Sequence, residues 1–340
     1  MSRWPIPSWL AMVAPFKIVS NVSAMVVSCQ IDGTCEPVHW GLRNEGAKGK
    51  DEAMTTAAET VNLSNRALVH ITGEEAEKFL QAVITTDLDK LGPDDLKPGA
   101  LLIPQGKILF DFLVSRIDGG LRFDLPASVA GDFIKRITLY RLRAKAEITQ
   151  QPESLVSVSW QGDSPSSQDD SIKRDSRFPA ELNVRRIYGR ADGTTDQSAW
   201  TKLRAEHGIA EGETDFAYND VFPHDVNFDQ MGGVSFPKGC FIGQEVVSRM
   251  QHRGTARRRV LVARSEAPLP PMGTPITVDG REIGTMGSSA DMVGIALVRI
   301  DRVKDAMDAG STVLAGETPV TLTLPPHVRF GFPEAEAGDA

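Results

Sequence analysis

The chain has 340 residues, of which 41% are hydrophobic and 24% are charged, and its formal net charge is −8 at pH 7. This length predicts two or three domains, and the composition is that of a soluble globular protein. The negative charge argues against general nucleic-acid binding by the whole chain. Three cysteines cannot form a disulfide framework, and they cannot supply the four thiolates of a cluster or of a structural zinc site.

The N-terminal residues 1–57 show little usable periodicity. We interpret them as a disordered or spurious extension, with Met54 as the working start. The chain contains no stretch of about 20 uninterrupted apolar residues, so no membrane span is predicted. It also lacks a phosphate-binding loop, a dinucleotide fingerprint and a paired-histidine metal motif, so no metal site is predicted.

The first predicted domain covers residues 58–155. Thr72 to Glu75 matches a T-x-x-E capping box, whose helix would bury Ala76, Phe79 and Leu80. A loop is predicted over 87–99. The remaining elements, in chain order, are a strand at 67–71, a hairpin of 100–103 with 108–117, a strand at 121–125 and a helix at 128–140.

The second predicted domain covers residues 156–254, and the Ser-, Asp- and Gly-rich stretch 161–174 is the best linker candidate. Its helix at 197–207 would end at Gly208. A small β-barrel is predicted at 255–332, with a tail at 333–340. Its strands are expected at 260–263, 275–278, 282–286, 293–298 and 320–324. The overall expectation is an α+β fold with antiparallel sheets rather than a doubly wound parallel one.

The octet Lys238-Gly239-Cys240-Phe241-Ile242-Gly243-Gln244-Glu245 is the most informative motif of the chain. Apolar residues at helical spacing follow it, so a helix is predicted from Gly243 to Gly254. A thiol just before a helix N-terminus lies near a partial positive charge, and Lys238 adds another, so both favour the thiolate at Cys240. Glu245 opposes them. The alternative is that Cys240 is a small buried hydrophobe.

This octet resembles the K-G-C-[YF]-x-G-Q-E signature of the YgfZ family, and the resemblance covers roughly residues 58–330. Further matching segments are Val69–Gly73, Pro104–Phe112, Gly232–Phe236, Arg249–Gly254 and Gly280–Gly284. The family is related to the aminomethyltransferase (T-protein) of the glycine cleavage system. The resemblance implies three domains around a central hole that takes tetrahydrofolate, and a role in iron–sulfur cluster assembly or repair. It further implies client or assembly proteins as partners, in the cytoplasm of a bacterium or in the mitochondrial matrix of a eukaryote.

Two positions differ from the aminomethyltransferase pattern. The essential aspartate of the transferase aligns with Phe110, which can neither accept a proton nor stabilise an iminium. The pterin-binding G-Y-T-G-E-D-G stretch has no counterpart near Arg186 to Arg190. Ordinary glycine cleavage is therefore not expected, and whether the protein is an enzyme is left open.

Cys240 is the predicted reactive centre. The residues expected to contact folate are Lys107, Asp111, Lys238, Gln244, Glu245 and Arg249. Several have another interpretation: Asp111 as a hydrogen-bonded sheet residue, Lys107 as a solvated turn lysine, Lys238 as a residue that raises the thiolate population of Cys240, and Gln244 and Glu245 as residues that order the loop.

The arginine run from Arg249 to Arg259 is either a solvated helix face or a docking patch for folate glutamates, an acidic partner or RNA. RNA binding is the least expected of these, because no aromatic residues interleave the arginines. A Cys240–His252 pair is not expected, because twelve helical positions span about 18 Å. His224 is expected to be a solvated loop histidine.

Three functional hypotheses remain. The first is a folate-binding accessory factor of iron–sulfur cluster assembly or repair that acts through Cys240. The second is a tetrahydrofolate-dependent one-carbon transferase, and the third is a non-catalytic folate sensor or scaffold. The behaviour of a Cys240→Ala variant separates the first from the third.

Overall fold

The computed structural model of the protein describes residues 58–152, 155–162, 170–189, 191 and 193–333. They belong to one compact unit, 53–340. The extension predicted at 1–57 and most of the predicted tail lie outside the described residues. The domain boundaries predicted at 155/156 and 254/255 stay predictions.

A nine-stranded sheet occupies the first half of the described chain, in the spatial order β1-β7-β9-β8-β3-β4-β5-β2-β6. All its strand pairs are antiparallel except β3 with β8. The strands are β1 (Glu59–Asn62), β2 (Arg66–Thr72), β3 (Asp95–Leu102), β4 (Ile108–Ile117), β5 (Gly120–Pro126), β6 (Glu147–Gln150), β7 (Val156–Trp160), β8 (Ile172–Asp175) and β9 (Arg185–Tyr188).

Both faces of this sheet are covered. Along β4, Phe110, Phe112 and Val114 point to a core that also holds the helices α1 (Ala76–Gln81) and α2 (Ala130–Arg141). Leu113 points to the opposite core, which α3 (Gln197–Glu206) and the segments after it complete. This alternation follows from the period of two along a strand, and burial of both faces explains the nearly continuous apolar run of β4.

The second sheet is the predicted C-terminal β-barrel. Its seven strands follow the order β15-β14-β11-β12-β13-β10-β16. They are β10 (Arg258–Arg264), β11 (Pro275–Val278), β12 (Arg281–Ala290), β13 (Val293–Arg299), β14 (Val313–Ala315), β15 (Thr318–Pro319) and β16 (Thr321–Thr323). The two outermost strands are separated in the chain by Val320 alone. Because neighbouring strands lie about 4.8 Å apart, one residue can join them only if the sheet curls almost shut.

Most predicted elements are confirmed, including the hairpin of β3 with β4, the helix ended by Gly208 and the five barrel strands. The capping box is wrong. Thr72 is the last residue of β2, where it pairs with Gly120 and Glu147, and Glu75 is the N-cap of α1 without a side-chain cap. The sequence pattern also gave no indication of α5 (Ile300–Ala309) within the barrel region.

Two predicted loops contain strands. The predicted loop 87–99 includes the start of β3, although Pro98 cannot donate a ladder hydrogen bond. Pro98 is tolerated because β8 pairs only with Asp95 and Leu96 on that side of β3, so no backbone donor is needed at Pro98. The predicted linker 161–174 contains β8, whose pairing with β3 and β9 overrides its polar composition.

A C-terminal segment after β16 packs across the rest of the fold. Pro325 lies against Gly208, at which a Cβ would be 2.5 Å from the proline ring. The Arg329 backbone N–H donates to Gln230 Oε1 at 3.0 Å. The Phe330 ring lies 4.3 Å from the Arg259 guanidinium. The residues that follow the last barrel strand therefore pack against the segments that precede the barrel and against its first strand.

A buried histidine of this segment, His327, should make the stability of the fold sensitive to acid. Burial lowers the pKa of His327 to about 4, from an ordinary value of 6.5, and the positive charge of nearby His207 acts in the same direction. The unfolded chain therefore binds more protons than the folded protein between those two values. The free energy of unfolding should fall by about 2 kcal/mol through this group as the pH drops from about 7 to about 5.

Denaturant titrations across that pH range should give a flatter dependence for His327→Gln than for the wild type. His252→Gln, at an exposed histidine, is the matched control and should follow the wild type. Equal slopes in the wild type and His327→Gln would contradict the assignment.

Candidate functional site

The K-G-C-F-I-G-Q-E loop leads directly into the helix α4 (Gln244–Arg253), which Gly254 ends as predicted. Phe241 is buried in the core and holds the centre of the loop, and Val247 does the same for the helix. Cys240 is exposed to solvent. The alternative of a buried core cysteine is therefore wrong, because the loop buries the aromatic neighbour instead.

Lys238 clamps the loop to the rest of the fold. Its ammonium group donates to the carbonyl oxygens of Ile84 at 2.6 Å and Thr86 at 2.7 Å. Burial lowers the pKa of Lys238 to about 8, against the attraction of Asp87 and Asp89. The two carbonyl contacts favour the ammonium form. Its charge is thus committed to these backbone acceptors rather than left free for a ligand.

The segment that receives Lys238 is itself bound to the edge of β3. The Thr85 N–H donates to the Ala100 carbonyl at 3.0 Å, and the Thr85 hydroxyl donates to the Gly233 carbonyl at 2.6 Å. The Ser235 N–H in turn donates to the Thr85 carbonyl at 3.0 Å. A continuous set of backbone contacts therefore runs from the sheet to the motif loop.

A second contact fixes the other end of the loop. Gly243 has φ +78°, and a Cβ there would lie 2.7 Å from the Ile103 carbonyl oxygen. Gly106, with φ +82°, faces Val246 in the same way, with its own Cβ position 3.0 Å from that side chain. Both glycines are needed because the 103–107 turn and α4 meet backbone to backbone. The sequence motif gave no sign of this pairing.

Apart from Lys238, the predicted folate residues fall into two groups. Lys107, Gln244, Glu245 and Arg249 lie on or beside α4 and its packed turn. Lys107 is half-buried, with its ammonium 6.0 Å from the centre of the Phe222 ring. Glu245 and Arg249 form the expected i,i+4 ion pair at 2.7 Å, with 85% and 57% of the side chains exposed. Such exposed pairs contribute only about 0.3–0.5 kcal/mol.

Asp111 lies apart from that group, in the interior. Its carboxylate accepts the Tyr218 hydroxyl at 2.5 Å and the Gly212 N–H at 3.2 Å. Burial raises the pKa of Asp111, against these hydrogen bonds and the charge of Arg66. Its neighbour Phe110 is buried in an aromatic core, 5.8 Å from the Phe133 ring. The position that aligns with the transferase aspartate is therefore a packing residue.

These contacts test the fit of the predicted residues to tetrahydrofolate. The polar groups of Asp111 and Lys238 already have protein partners, and Glu245 and Arg249 pair with each other. Four of the six predicted residues thus use their polar groups within the protein and do not offer them preformed to folate. Their role in folate binding stays a prediction, and no chemical step is derived through the cofactor.

Neither nearby histidine forms a catalytic pair with the thiol. His252 is exposed near the far end of α4. His224 is 1% exposed, and its Nε2 lies 3.0 Å from Gln251 Oε1. The expectation of a solvated loop histidine at 224 is therefore wrong. Burial lowers the pKa of His224, which keeps the ring neutral near pH 7.

A buried charge cluster beside Asp111 was not predicted. Arg177 binds Asp175 at 2.7 Å and Glu211 at 3.1 Å, and Arg204 binds Asp215 at 2.7 Å. Burial alone would raise the pKa of Glu211, but the surrounding arginines hold it well below its usual range. We call this the charge cluster, and it consists of Arg66, Asp124, Asp175, Arg177, Arg186, Arg204, Glu211 and Asp215.

Within the described ranges, no group of three or more His, Cys, Asp or Glu side chains is arranged to hold a metal ion. The same part of the chain has no helix of sufficient length and apolar character to cross a membrane.

The architecture of two covered sheets, the second almost closed, is that of the aminomethyltransferase fold. The glycine cleavage system aminomethyltransferase T from Bartonella henselae superposes with a TM-score of 0.62 and 16% identity, over 78% of this chain and 85% of that chain. Residues 257–330 match the family described as CAF17, C-terminal beta-barrel domain. The chain thus has an aminomethyltransferase-like fold with a C-terminal β-barrel.

The amino-acid sequence is similar to those of several iron–sulfur cluster assembly factors. The mitochondrial factor IBA57 of Mus musculus is 27% identical over 81% of this chain and 86% of its own length. The mitochondrial IBA57 of Homo sapiens is 26% identical over 80% and 87%. The IBA57 homolog of Chaetomium globosum is 32% identical over 58% of this chain and 54% of its own length.

Proposed function

We propose that this protein acts in iron–sulfur cluster assembly or repair, and that Cys240 is the residue through which it acts. The relatives named as assembly factors support the first part. The observation that carries the second is an exposed thiol at the tip of a loop braced on both sides, by the Lys238 clamp and by the Gly106–Gly243 contact. A eukaryotic source would place this activity in the mitochondrial matrix, and a bacterial source in the cytoplasm.

The contacts of Lys238 and of Gly243 with the rest of the fold fix the position of the Cys240 thiol. A fixed loop holds Cys240 in solvent, four residues ahead of the first residue of α4. One thiolate cannot hold a cluster, which needs about four ligands. Cys240 would therefore act on a cluster or protein that brings its own ligands. It would do so by a transient bond to cluster iron, by an adduct, or by attack on a disulfide of the partner, which forms a mixed disulfide and releases the partner's other sulfur as a thiolate.

Cells that lack the protein should show low activity of particular iron–sulfur enzymes, and the wild-type chain should restore it. Cys240→Ala should fail to restore activity, because no other thiol lies in the motif. Cys35→Ala is the matched control and should restore activity fully. Both variants should be checked for equal abundance. Full restoration by Cys240→Ala would overturn the proposed role of the thiol while leaving the assembly function standing.

The one-carbon transferase alternative has no supporting observation at the aligned aspartate position. Phe110 is in aromatic packing and has no ionisable group. Transferase activity would need a different base. The scaffold alternative differs from our proposal in one result, because a scaffold would keep its function without the thiol.

Tetrahydrofolate is a separate part of the proposal, and it is supported by the resemblance to the YgfZ family. Calorimetric titration with tetrahydrofolate should give the same affinity for the wild type and for Cys240→Ala. The reason is that the Cys240 thiol is exposed to solvent, whereas Asp111, one of the residues predicted to contact folate, lies in the interior. No heat of binding in either protein would reject folate without affecting the role of Cys240. A weaker affinity in Cys240→Ala would show that the thiol lines the folate site.

A further inference from the structure

The five arginines between positions 249 and 259 divide into two sets. Arg258 pairs with Asp220 at 2.9 Å and with Asp225 at 2.9 Å, and buried Arg259 pairs with Asp229 at 2.7 Å. These two arginines bind the chain to itself. The other three have exposed side chains, so the basic run is only partly explained by the packing of the fold.

The exposed set forms a stripe on α4 and the turn after it. Arg249, His252 and Arg253 recur at the spacing of one helix face, and exposed Arg257 follows Gly254. We call these four residues the basic strip. The side chains of Arg253 and Arg257 have no hydrogen bond or ion pair to any residue that the structure describes. Glu245 is the acidic residue of this helix face, and Arg249 already neutralises it.

The basic strip lies on and after the helix that begins four residues after Cys240. α4 has ten residues, so it extends about 15 Å from the motif loop. A helix dipole explains basic residues in the last turn, and that accounts for His252 and Arg253 in part. It does not account for Arg257, which lies beyond the helix, or for a basic stripe on a chain with a net charge of −8.

We propose that the basic strip docks an acidic face of a partner protein and so brings that partner to Cys240. This inference rests on the proposed function, since it names the kind of partner that reaches the thiol. A chain of net charge −8 repels an acidic protein over most of its surface, so the strip is where approach is favourable. Opposite charges thereby orient the encounter as well as strengthen it. Nucleic acid fits less well, because the strip has no aromatic side chain on which a base would stack.

The test uses the purified full-length chain and a fluorescein-labelled polyglutamate peptide as the acidic probe. Fluorescence anisotropy should show binding that weakens with added salt. Arg253→Glu/Arg257→Glu should weaken it by at least about tenfold, because two attractive contacts become repulsive. Lys202→Glu/Arg281→Glu makes the same change in net charge at sites outside the strip and should match the wild type within about twofold. The affinity of Arg253→Gln/Arg257→Gln should lie between those of the two charge-reversed pairs. This neutral variant shows whether the charge itself, and not misfolding of the reversed variant, causes the loss of binding.

Bound polyglutamate should also slow the alkylation of Cys240 by iodoacetamide, read from the peptide that carries it by mass spectrometry. Equal weakening by both charge-reversed pairs would overturn the proposal, and so would alkylation that the peptide does not slow. Tighter binding of single-stranded oligouridylate than of polyglutamate at physiological salt would overturn it in favour of RNA. No iron–sulfur enzyme enters this assay. Loss of strip-dependent binding therefore rejects only this inference, and full rescue by Cys240→Ala rejects only the role of the thiol.

Discussion

Replacing Glu211 with glutamine is expected to destabilise the fold by about 3–5 kcal/mol, because it leaves buried arginines without their shared counter-charge. The Glu211 carboxylate lies 3.1 Å from Arg177 and 3.9 Å from both Arg186 and Arg204. Chemical denaturation followed by tryptophan fluorescence measures the loss directly, since buried Trp200 lies 5.6 Å from the Arg186 guanidinium.

Glu213→Gln is the matched control for Glu211→Gln. Glu213 lies two residues away on the same segment but is exposed, so its change should be within about 0.5 kcal/mol. The pKa of Glu211 is held below its usual value of 4.5. Its stabilising contribution is therefore present above pH 4.5 and is lost as the pH falls below it. An unfolding midpoint for Glu211→Gln equal to that of Glu213→Gln would show that the cluster does not depend on this carboxylate.

Replacing Lys238 with methionine is expected to lower the free energy of unfolding by about 2–3 kcal/mol. The same change should abolish the proposed role of the protein in iron–sulfur cluster assembly or repair. The change removes both donors to Ile84 and Thr86 and leaves their carbonyl oxygens without those partners. It also releases one of the two braces of the Cys240 loop. Denaturation measures the first effect, and restoration of iron–sulfur enzyme activity in cells that lack the protein measures the second.

Two variants distinguish the loss of the Lys238 hydrogen bonds from the mere loss of a lysine charge. Lys238→Arg keeps several N–H donors and should retain part of the stability and of the function. Lys202→Met removes an exposed lysine of α3 and should behave as the wild type. If Lys238→Met were as active as the wild type at equal abundance, bracing of the loop would not be required for the role of Cys240.

The sequence predicted the local features of the site well. The helix from Gln244 to Arg253, its end at Gly254 and the Glu245–Arg249 pair all follow from spacing, propensity and charge. Local patterns cannot report which distant segment meets the loop. The contacts of Lys238 with residues 84–86 and of Gly243 with Gly106 join segments more than 130 positions apart, and those contacts depend on the sheet being complete.

The charge cluster was missed for a different reason. In a sequence, Arg177, Arg186 and Arg204 read like any other charged residues, which are exposed in most proteins. Their burial becomes apparent only when four carboxylates, from β5, β8 and the segment after α3, are placed beside them. Strand β8 was missed for a related reason, since its sequence Ile-Lys-Arg-Asp lacks apolar alternation and two of its charged side chains, those of Lys173 and Asp175, are buried and ion-paired.

The single parallel pair of the first sheet has a consequence for how the chain assembles during synthesis. The hairpin of β3 with β4 is complete once Ile117 has left the ribosome, but β8 follows only at Ile172. Until then Asp95 and Leu96 of β3 form an open edge, of the kind on which a foreign strand can pair. Pro98 limits that edge on its C-terminal side, because it offers no N–H to an incoming strand, and Thr85 already binds Ala100 beyond it. The proline that favoured a loop prediction for this segment thus shortens the edge on which a foreign strand can pair while β8 is still being synthesised.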